Sequence, residues 1–489
     1  MASPSSILAA SGNTRLHKAG LYVFLIAVTS LYYLLNAKIL LGHYDLGWHL
    51  AAGDLIRAQG KIPTQDPWSF TAGSRQWVNL SWLWDVLASA IFQQAHFSGL
   101  VLLVLACGAA ITGILAHICR RSGAADMGVC IAVLIAALLY PAFAAFPNIY
   151  LAASPNMATM LFAVIFYGAC LTPGGALYLL PALMLLWANL HGGFLIGIFI
   201  TGIFGAVALL RRDWAAVKIF GLLTSACVIA SLFNPLGWHI YPAATTTVGN
   251  FVQAYITEWW PYYRNITWPG GIPGILYIAI FAALELRGQS QSAHRCPLEA
   301  RLLSWLFLLL GFYQFRYMAF FFLFSAVPLS LHLTNLLAQK RDIAKPLWIA
   351  GLITSLALPL IFTAMKPAFA LVPLLSRQDA NYLQAHAPHA RLLNHWNLGG
   401  DLIFYTRGAI PIFVDGRAAT AYPEGLLRDY FPLTEETVNE AAWDAVLAKY
   451  QINTVLWMKS HDALRQFLVG KRGWKEIHAG AFASIYIKP

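Results

Sequence analysis

Charge is scarce in this chain. Of 489 residues, 11% are charged and 59% hydrophobic, and the mean hydropathy is +0.61. Soluble domains carry about 25% charged residues, so the composition excludes a water-solvated globule and points to lipid as the main solvent. Cysteine is sparse as well. Cys107, Cys119, Cys130, Cys170, Cys227 and Cys296 all fall in apolar segments or beside basic turns, without CxxC or Cys/His metal spacing. Nothing supports a disulfide framework, and the thiols read as small apolar side chains. There is no GxxxxGK[ST] and no GxGxxG opening a helix, which argues against a nucleotide or nucleotide-sugar site and against a nucleotide cofactor. GxSxG, HExxH and Ser-x-x-Lys are missing too, leaving hydrolase chemistry without support. No clear internal repeat is visible.

What is present is a succession of long apolar runs. Residues 1–20 are polar and carry Arg15, His17 and Lys18, and the next run, 21–41, is long enough to cross a bilayer. A signal peptide has a shorter core, so this reads as a retained first helix with a cytoplasmic N-terminus. The net charge of +11 sits largely in basic pairs at the ends of such runs: Arg120-Arg121, Arg211-Arg212, the stretch Arg287 to Arg301, and Lys340-Arg341. Under the positive-inside rule these mark cytoplasmic turns rather than a nucleic-acid partner. Spans are expected near 21–41, 99–118, 127–146, 157–171, 176–190, 194–210, 217–233, 272–286, 301–315, 317–337 and 346–365. The fold class is a mostly α polytopic membrane protein of about eleven helices within 1–365. Parity places loops 42–98, 147–156, 191–193, 234–271 and 314–316 outside. Residues 366–489 then form a small external α/β domain. Its short β-type runs are "ARLLNHW", "GDLIFYT", "PIFVDGR", "INTVLWM" and "FASIYIK", with a helix expected over 434–450.

The first long loop holds the odd polar groups. A helix is expected over 47–58, ended by Gly60, then an Asp66 turn before Pro67. An amphipathic interfacial helix over 81–97 has Trp82, Trp84 and Leu87 set against Ser81, Asp85 and Ser89. The loop's tryptophans suit a headgroup belt, with Asp54, Arg57 and Arg75 facing water. Asp45 differs, because an ionisable group at the end of an apolar helix is by default a functional hypothesis. The competing reading is a simple helix cap. His49 stands at i+4 from Asp45, on the same helical face; such a pair holds a proton or a metal ion. Further polar groups emerge on the same side: His191 in "NLHGGF", Trp238 and His239 in "NPLGWHIYP", Glu258 in "ITEWWPYY", and Arg316 in "YQFRYMAF". A guanidinium in a hairpin between apolar spans suits a phosphate, or else snorkels to headgroups. In the tail, Asp415 and Arg417 of "VDGRAATAYPE" pin a turn or form a wall of the cleft.

The blocks "DLGWHLAAGDLIRAQGKIPTQDPWSFT", "WVNLSWLWDVL", "NLHGGF", "NPLGWHIYP", "EWWPY" and "NHWNLGGDLIF…PIFVDGRAATAYPEGLLRDY" together resemble a family of bacterial multi-span glycosyltransferases of the GT-C superfamily. The resemblance runs over nearly the whole chain. It implies a polyprenyl-phosphate-linked sugar donor used on the non-cytoplasmic face of the bacterial inner membrane. A catalytic acidic residue lies in the first external loop, where Asp45 stands, with Asp85 as a second candidate. Relatives often carry two adjacent acidic residues, whereas this chain has Asp45-Leu46. The resemblance leaves a divalent cation near Asp45 open. In that scheme Asp45 is the base, tuned by His49, and Arg316 receives the leaving phosphate with His191 as helper. Trp48, Trp238 and Trp259 offer faces for sugars, and the acceptor is a glycan, lipid or protein. Two other classes fit the composition: a transporter of lipid-linked saccharides, for which repeats and mid-membrane charges are expected, and a non-catalytic polysaccharide-assembly protein.

Overall fold

The computed structural model describes residues 4–35, 44–72, 75–139, 152–246, 251–265, 271–287, 296–339 and 375–489. The expected span at 346–365, the Lys340-Arg341 pair and part of the 147–156 loop lie outside these residues. Apolar runs become helices because a segment in lipid must satisfy its own backbone N–H and C=O groups. In chain order they are α1 (Pro4–Leu35), α2 (Leu46–Gln59), α3 (Trp82–Arg121), α4 (Asp126–Leu134), α5 (Pro155–Leu171), α6 (Leu180–Leu190), α7 (Leu195–Leu210), α8 (Trp214–Ser231), α9 (Ile240–Thr245), α10 (Gly271–Arg287), α11 (Leu298–Tyr313) and α12 (Met318–Gln339). Among the described residues, four stretches are long and apolar enough to cross a membrane: Trp82–Arg121, Gly192–Leu210, Trp214–Ser231 and Phe315–Ala338.

Helix α3 has 40 residues, about 60 Å at 1.5 Å per residue and twice the thickness of the hydrocarbon core. His96, at φ 51° and ψ −149°, breaks it into two limbs. The limb 82–95 is the helix expected over 81–97, but its polarity is turned round: Asp85 and Ser89 are fully buried while Leu87 is 41% exposed. Its polar side faces α2, which supplies the partners that buried polar groups require. Elsewhere, Glu285 of α10 staples three helices, accepting from Arg301 Nε of α11 at 2.7 Å and pairing with His332 Nε2 of α12 at 2.7 Å.

Two apolar cores form. One is built from the long helices, the other from the C-terminal residues. Around the second core lie α13 (Arg377–His386), α14 (Trp396–Thr406), α15 (Glu424–Tyr430), α16 (Glu440–Lys449) and a four-stranded mixed sheet. The strands are β1 (Leu392–Asn394), β2 (Thr454–Met458), β3 (Lys475–Ala479) and β4 (Ala483–Ile487), in the order β1-β2-β4-β3. β1 and β2 are parallel and the other pairs antiparallel. Three of the β-type runs are strands. "GDLIFYT" is not: it lies in α14, where Leu398, Leu402, Ile403 and Thr406 are buried at helical spacing. "PIFVDGR" makes only an isolated parallel bridge, Ser69 to Ile412. The helix expected over 434–450 begins at Glu440, because Asn439 rather than Thr434 accepts the capping N–H, from Ala442. Strand β3 went unread because its pattern lacks a buried face.

The first loop joins the second core. Trp48, Trp68, Trp77 and Trp84 are buried in protein, so the headgroup-belt reading fails for these four. Trp68 and Ile412 exchange backbone bonds through Ile412 N–H to Trp68 O (3.0 Å) and Phe70 N–H to Ile412 O (3.2 Å), and Val78 N–H donates to Thr420 O (3.2 Å).

Candidate active site

Helix α2 is the element on which the site depends. Leu46 and Leu50 pack into the core of the long helices, while Trp48 and Ala52 pack into the C-terminal core. It ends at Gly60, whose φ of 66° is left-handed and so easiest for glycine. Two backbone crossings hold it. A Cβ on Gly53 would overlap the Asp85 carbonyl of α3, and one on Gly47 would overlap the Gly400 carbonyl of α14. The N-terminal turn of α2 is therefore wedged between the long-helix and C-terminal halves.

Asp45 occupies the N-cap position but its side chain makes no capping hydrogen bond, which overturns the simple cap reading. Its Oδ1 accepts the Trp48 indole N–H at 3.0 Å, and the Gly416 backbone presses on the same carboxylate so closely that a Cβ there would overlap it. His49, one turn on, is buried. Its Nδ1 hydrogen-bonds Asp85 Oδ1 at 2.5 Å, and Asn79 Nδ2 donates to Asp85 Oδ2 at 2.7 Å. Asp85 is fully buried behind the imidazole and holds its orientation; it does not line the cavity.

Asp45 and His49 share a cavity of about 650 Å³ with His191, Glu258 and Arg316. Both side chains therefore reach the cavity from α2 and its cap. His191 ends α6. Its Nδ1 accepts from Gly193 N–H at 3.3 Å and bonds Thr159 Oγ1 at 2.8 Å, and that oxygen itself accepts the Trp187 indole N–H at 2.9 Å. These partners fix a neutral tautomer with the proton on Nε2. Burial first, then the Arg316 charge and His49, push the imidazole down to about 3. Arg316 lies over the Trp259 ring at 5.7 Å, whose indole N–H donates to Glu258 Oε1 at 2.9 Å. Aromatic contact and hydrogen bonds hold both charged groups at the cavity wall.

Of the other expected substrate-binding residues, Arg417 lines the cavity, whereas Trp238, His239 and Asp415 do not. Trp238 is 65% exposed and lies against His239, ring centroids 4.0 Å apart; neither lines the cavity, and Ala243 to Thr245 of α9 do so instead. Asp415 and Arg417 form a buried clamp. Arg417 Nε donates to both Asp415 oxygens at 2.9 Å, Nη1 to Asp66 Oδ1 at 2.6 Å, and Nη2 to the Tyr422 hydroxyl at 3.0 Å. The guanidinium sits between Trp68 at 5.0 Å and Trp77 at 4.9 Å. Arg417 thereby ties the first loop to the tail while lining the cavity. Sequence reasoning missed Asn79, Gly416 and the triplet His395, Trp396 and Asn397, all of them at the cavity. A signal existed in the block "NHWNLGGD", whose paired glycines mark a close helix crossing. Among the described residues, no group of three or more His, Cys, Asp or Glu is arranged to hold a metal ion.

The class this architecture defines is the fold of two solved proteins. ArnT from Cupriavidus metallidurans, solved with undecaprenyl phosphate, is similar at a TM-score of 0.54 and 14% identity, over 96% of this chain and 98% of that one. The archaeal oligosaccharyltransferase AglB from Archaeoglobus fulgidus, solved with an inhibitory peptide and a dolichol-phosphate, is similar at a TM-score of 0.61 and 10% identity, over 91% of this chain and 70% of that one. Such identities make the likeness one of fold. No protein-family model matches the chain, and no curated protein does.

Proposed function

We propose that this chain is an integral membrane glycosyltransferase that moves a sugar from a polyprenyl-phosphate donor to an acceptor on the non-cytoplasmic face. The observation that carries this reading is the single cavity holding Asp45, His49, His191 and Arg316. The solved relatives in fold support it, one holding undecaprenyl phosphate and the other a dolichol-phosphate. In the reaction an acceptor hydroxyl oxygen attacks the anomeric carbon. The bond from that carbon to the phosphate oxygen breaks, the phosphate leaves with the electron pair, and inversion follows from direct displacement. Asp45 takes the hydroxyl proton, with His49 beside it held by Asp85. Arg316 receives the developing phosphate charge, where a preorganised cation is worth most in a site shielded from water. The neutral His191 donates from Nε2 to the same group. About eleven spans, a cytoplasmic N-terminus and an external tail from residue 366 complete the topology, in a bacterial inner membrane.

Asp45→Asn keeps the shape and removes the base. Transfer from a polyprenyl-phosphate-sugar donor by the purified protein in lipid should fall about 100-fold or more, the scale of general-base catalysis. Transfer at the wild-type rate in that variant ends the assignment of Asp45 as base.

A further inference from the structure

The C-terminal wall of the cavity carries a feature that the transfer chemistry does not use. His395, Trp396 and Asn397 are consecutive, all line the cavity, and all are half-buried. His395 Nδ1 accepts the Asn397 backbone N–H at 3.2 Å, which leaves the proton on Nε2. That Nε2, the Trp396 indole N–H and the Asn397 side-chain amide make no hydrogen bond to the described residues. Polar groups held in a cavity without protein partners call for a ligand or water to satisfy them. The Trp396 ring is backed by Phe431 at 5.1 Å, which itself stacks on Tyr255 at 4.9 Å and 20°. A rigid aromatic face bordered by two neutral donors and an amide is the chemistry that recognises a polyol: the ring covers the C–H face of a pyranose, and the polar groups meet its hydroxyls.

Position supports the same reading. The triplet opens α14, and Gly400 of that helix touches the Tyr44 carbonyl at the start of α2. Asp45 directly follows Tyr44, and the triplet lies about 4–8 Å of helix rise from Gly400. A hexose resting on Trp396 therefore brings a hydroxyl within reach of the Asp45 carboxylate, across from Arg316 on the long-helix wall.

We infer that His395, Trp396 and Asn397 form the acceptor subsite and that the acceptor is a carbohydrate, stacked on Trp396 and hydrogen-bonded by His395 Nε2 and the Asn397 amide. The inference rests on the transferase reading for its place in the reaction, but binding is measurable without turnover. The test uses the full chain in lipid nanodiscs, free of sugar-based detergent, with maltose, cellobiose and chitobiose as probes in saturation-transfer difference NMR. At least one disaccharide should receive saturation from the protein. Affinity should drop about tenfold or more in Trp396→Ala, the scale of losing an aromatic anchor, and also drop in Asn397→Ala. It should persist in Trp396→Phe and in Asp45→Asn. Absence of saturation with all three probes, or equal affinity in Trp396→Ala, overturns the subsite. Saccharide binding that survives Asp45→Asn, without turnover of any polyprenyl-phosphate donor by wild type, removes the transferase reading and leaves the subsite standing. Turnover without saccharide binding does the reverse.

Discussion

At the scale of single residues, the site is a set of side chains whose freedom has been taken by close protein partners. Asp45 accepts the Trp48 indole N–H and meets the Gly416 backbone rather than capping a backbone N–H of α2, and it lines the cavity. His191 shows how burial sets a protonation state. Its folded value of about 3, lowered by burial and then by Arg316 and His49, lies below the ordinary histidine value near 6.5. Between the two, the unfolded chain binds the extra proton, so folded stability rises with pH through that window and is lost as pH falls toward 3. His191→Gln carries no such proton. Thermal melts of the two proteins from pH 4 to pH 7 should show a gap that moves in favour of the variant as the pH drops. A gap independent of pH would mean that the imidazole is not held neutral.

At the scale of elements, close backbone approach positions α2, and here sequence and structure part company in an instructive way. The helix, its Gly60 stop and the shared face of Asp45 and His49 are all legible from 3.6-residue spacing and turn chemistry. The partners of α2 are not, because Gly53 meets α3 and Gly47 meets α14, some 350 residues further on. Gly416 is not among the residues with positive φ, so alanine there meets steric overlap alone. Gly416→Ala should leave the melting temperature nearly unchanged, because the displaced atom is the end of a side chain, yet it should cut transfer sharply by moving the Asp45 carboxylate. Gly53→Ala meets backbone instead and should cost about 1–3 kcal/mol, as overpacking does. Denaturant titration and transfer assays on both variants check the contrast.

At the scale of the whole molecule, the Arg417 clamp joins distant parts of the chain. Asp66 and Arg417 are 351 positions apart, and both side chains are fully buried. Removing one partner of a buried ion pair strands the other, at about 3–5 kcal/mol. Arg417→Met strands two carboxylates, Asp66 and Asp415. Limited proteolysis should then open the segment around residues 61–80 well before the long helices are cut; wild-type protection in the variant would show that the aromatic packing alone holds the loop.

Composition and periodicity by themselves determined that the chain is helical and membrane-embedded, where α2 lies, and which ionisable residues stand at helix ends. Those properties are local: hydropathy, 3.6-residue spacing and turn residues act over a few positions. The tertiary structure decided which of those residues meet. It turned Asp85 from the polar side of an interfacial helix into the buried partner of His49, and it took Trp68 and Trp77 out of a headgroup belt to sandwich Arg417. It left Trp238 outside the cavity and brought Trp396 in. A side chain's partner depends on how helices cross and on which buried charge needs an opposite one. Both are settled only when residues hundreds of positions apart pack against each other.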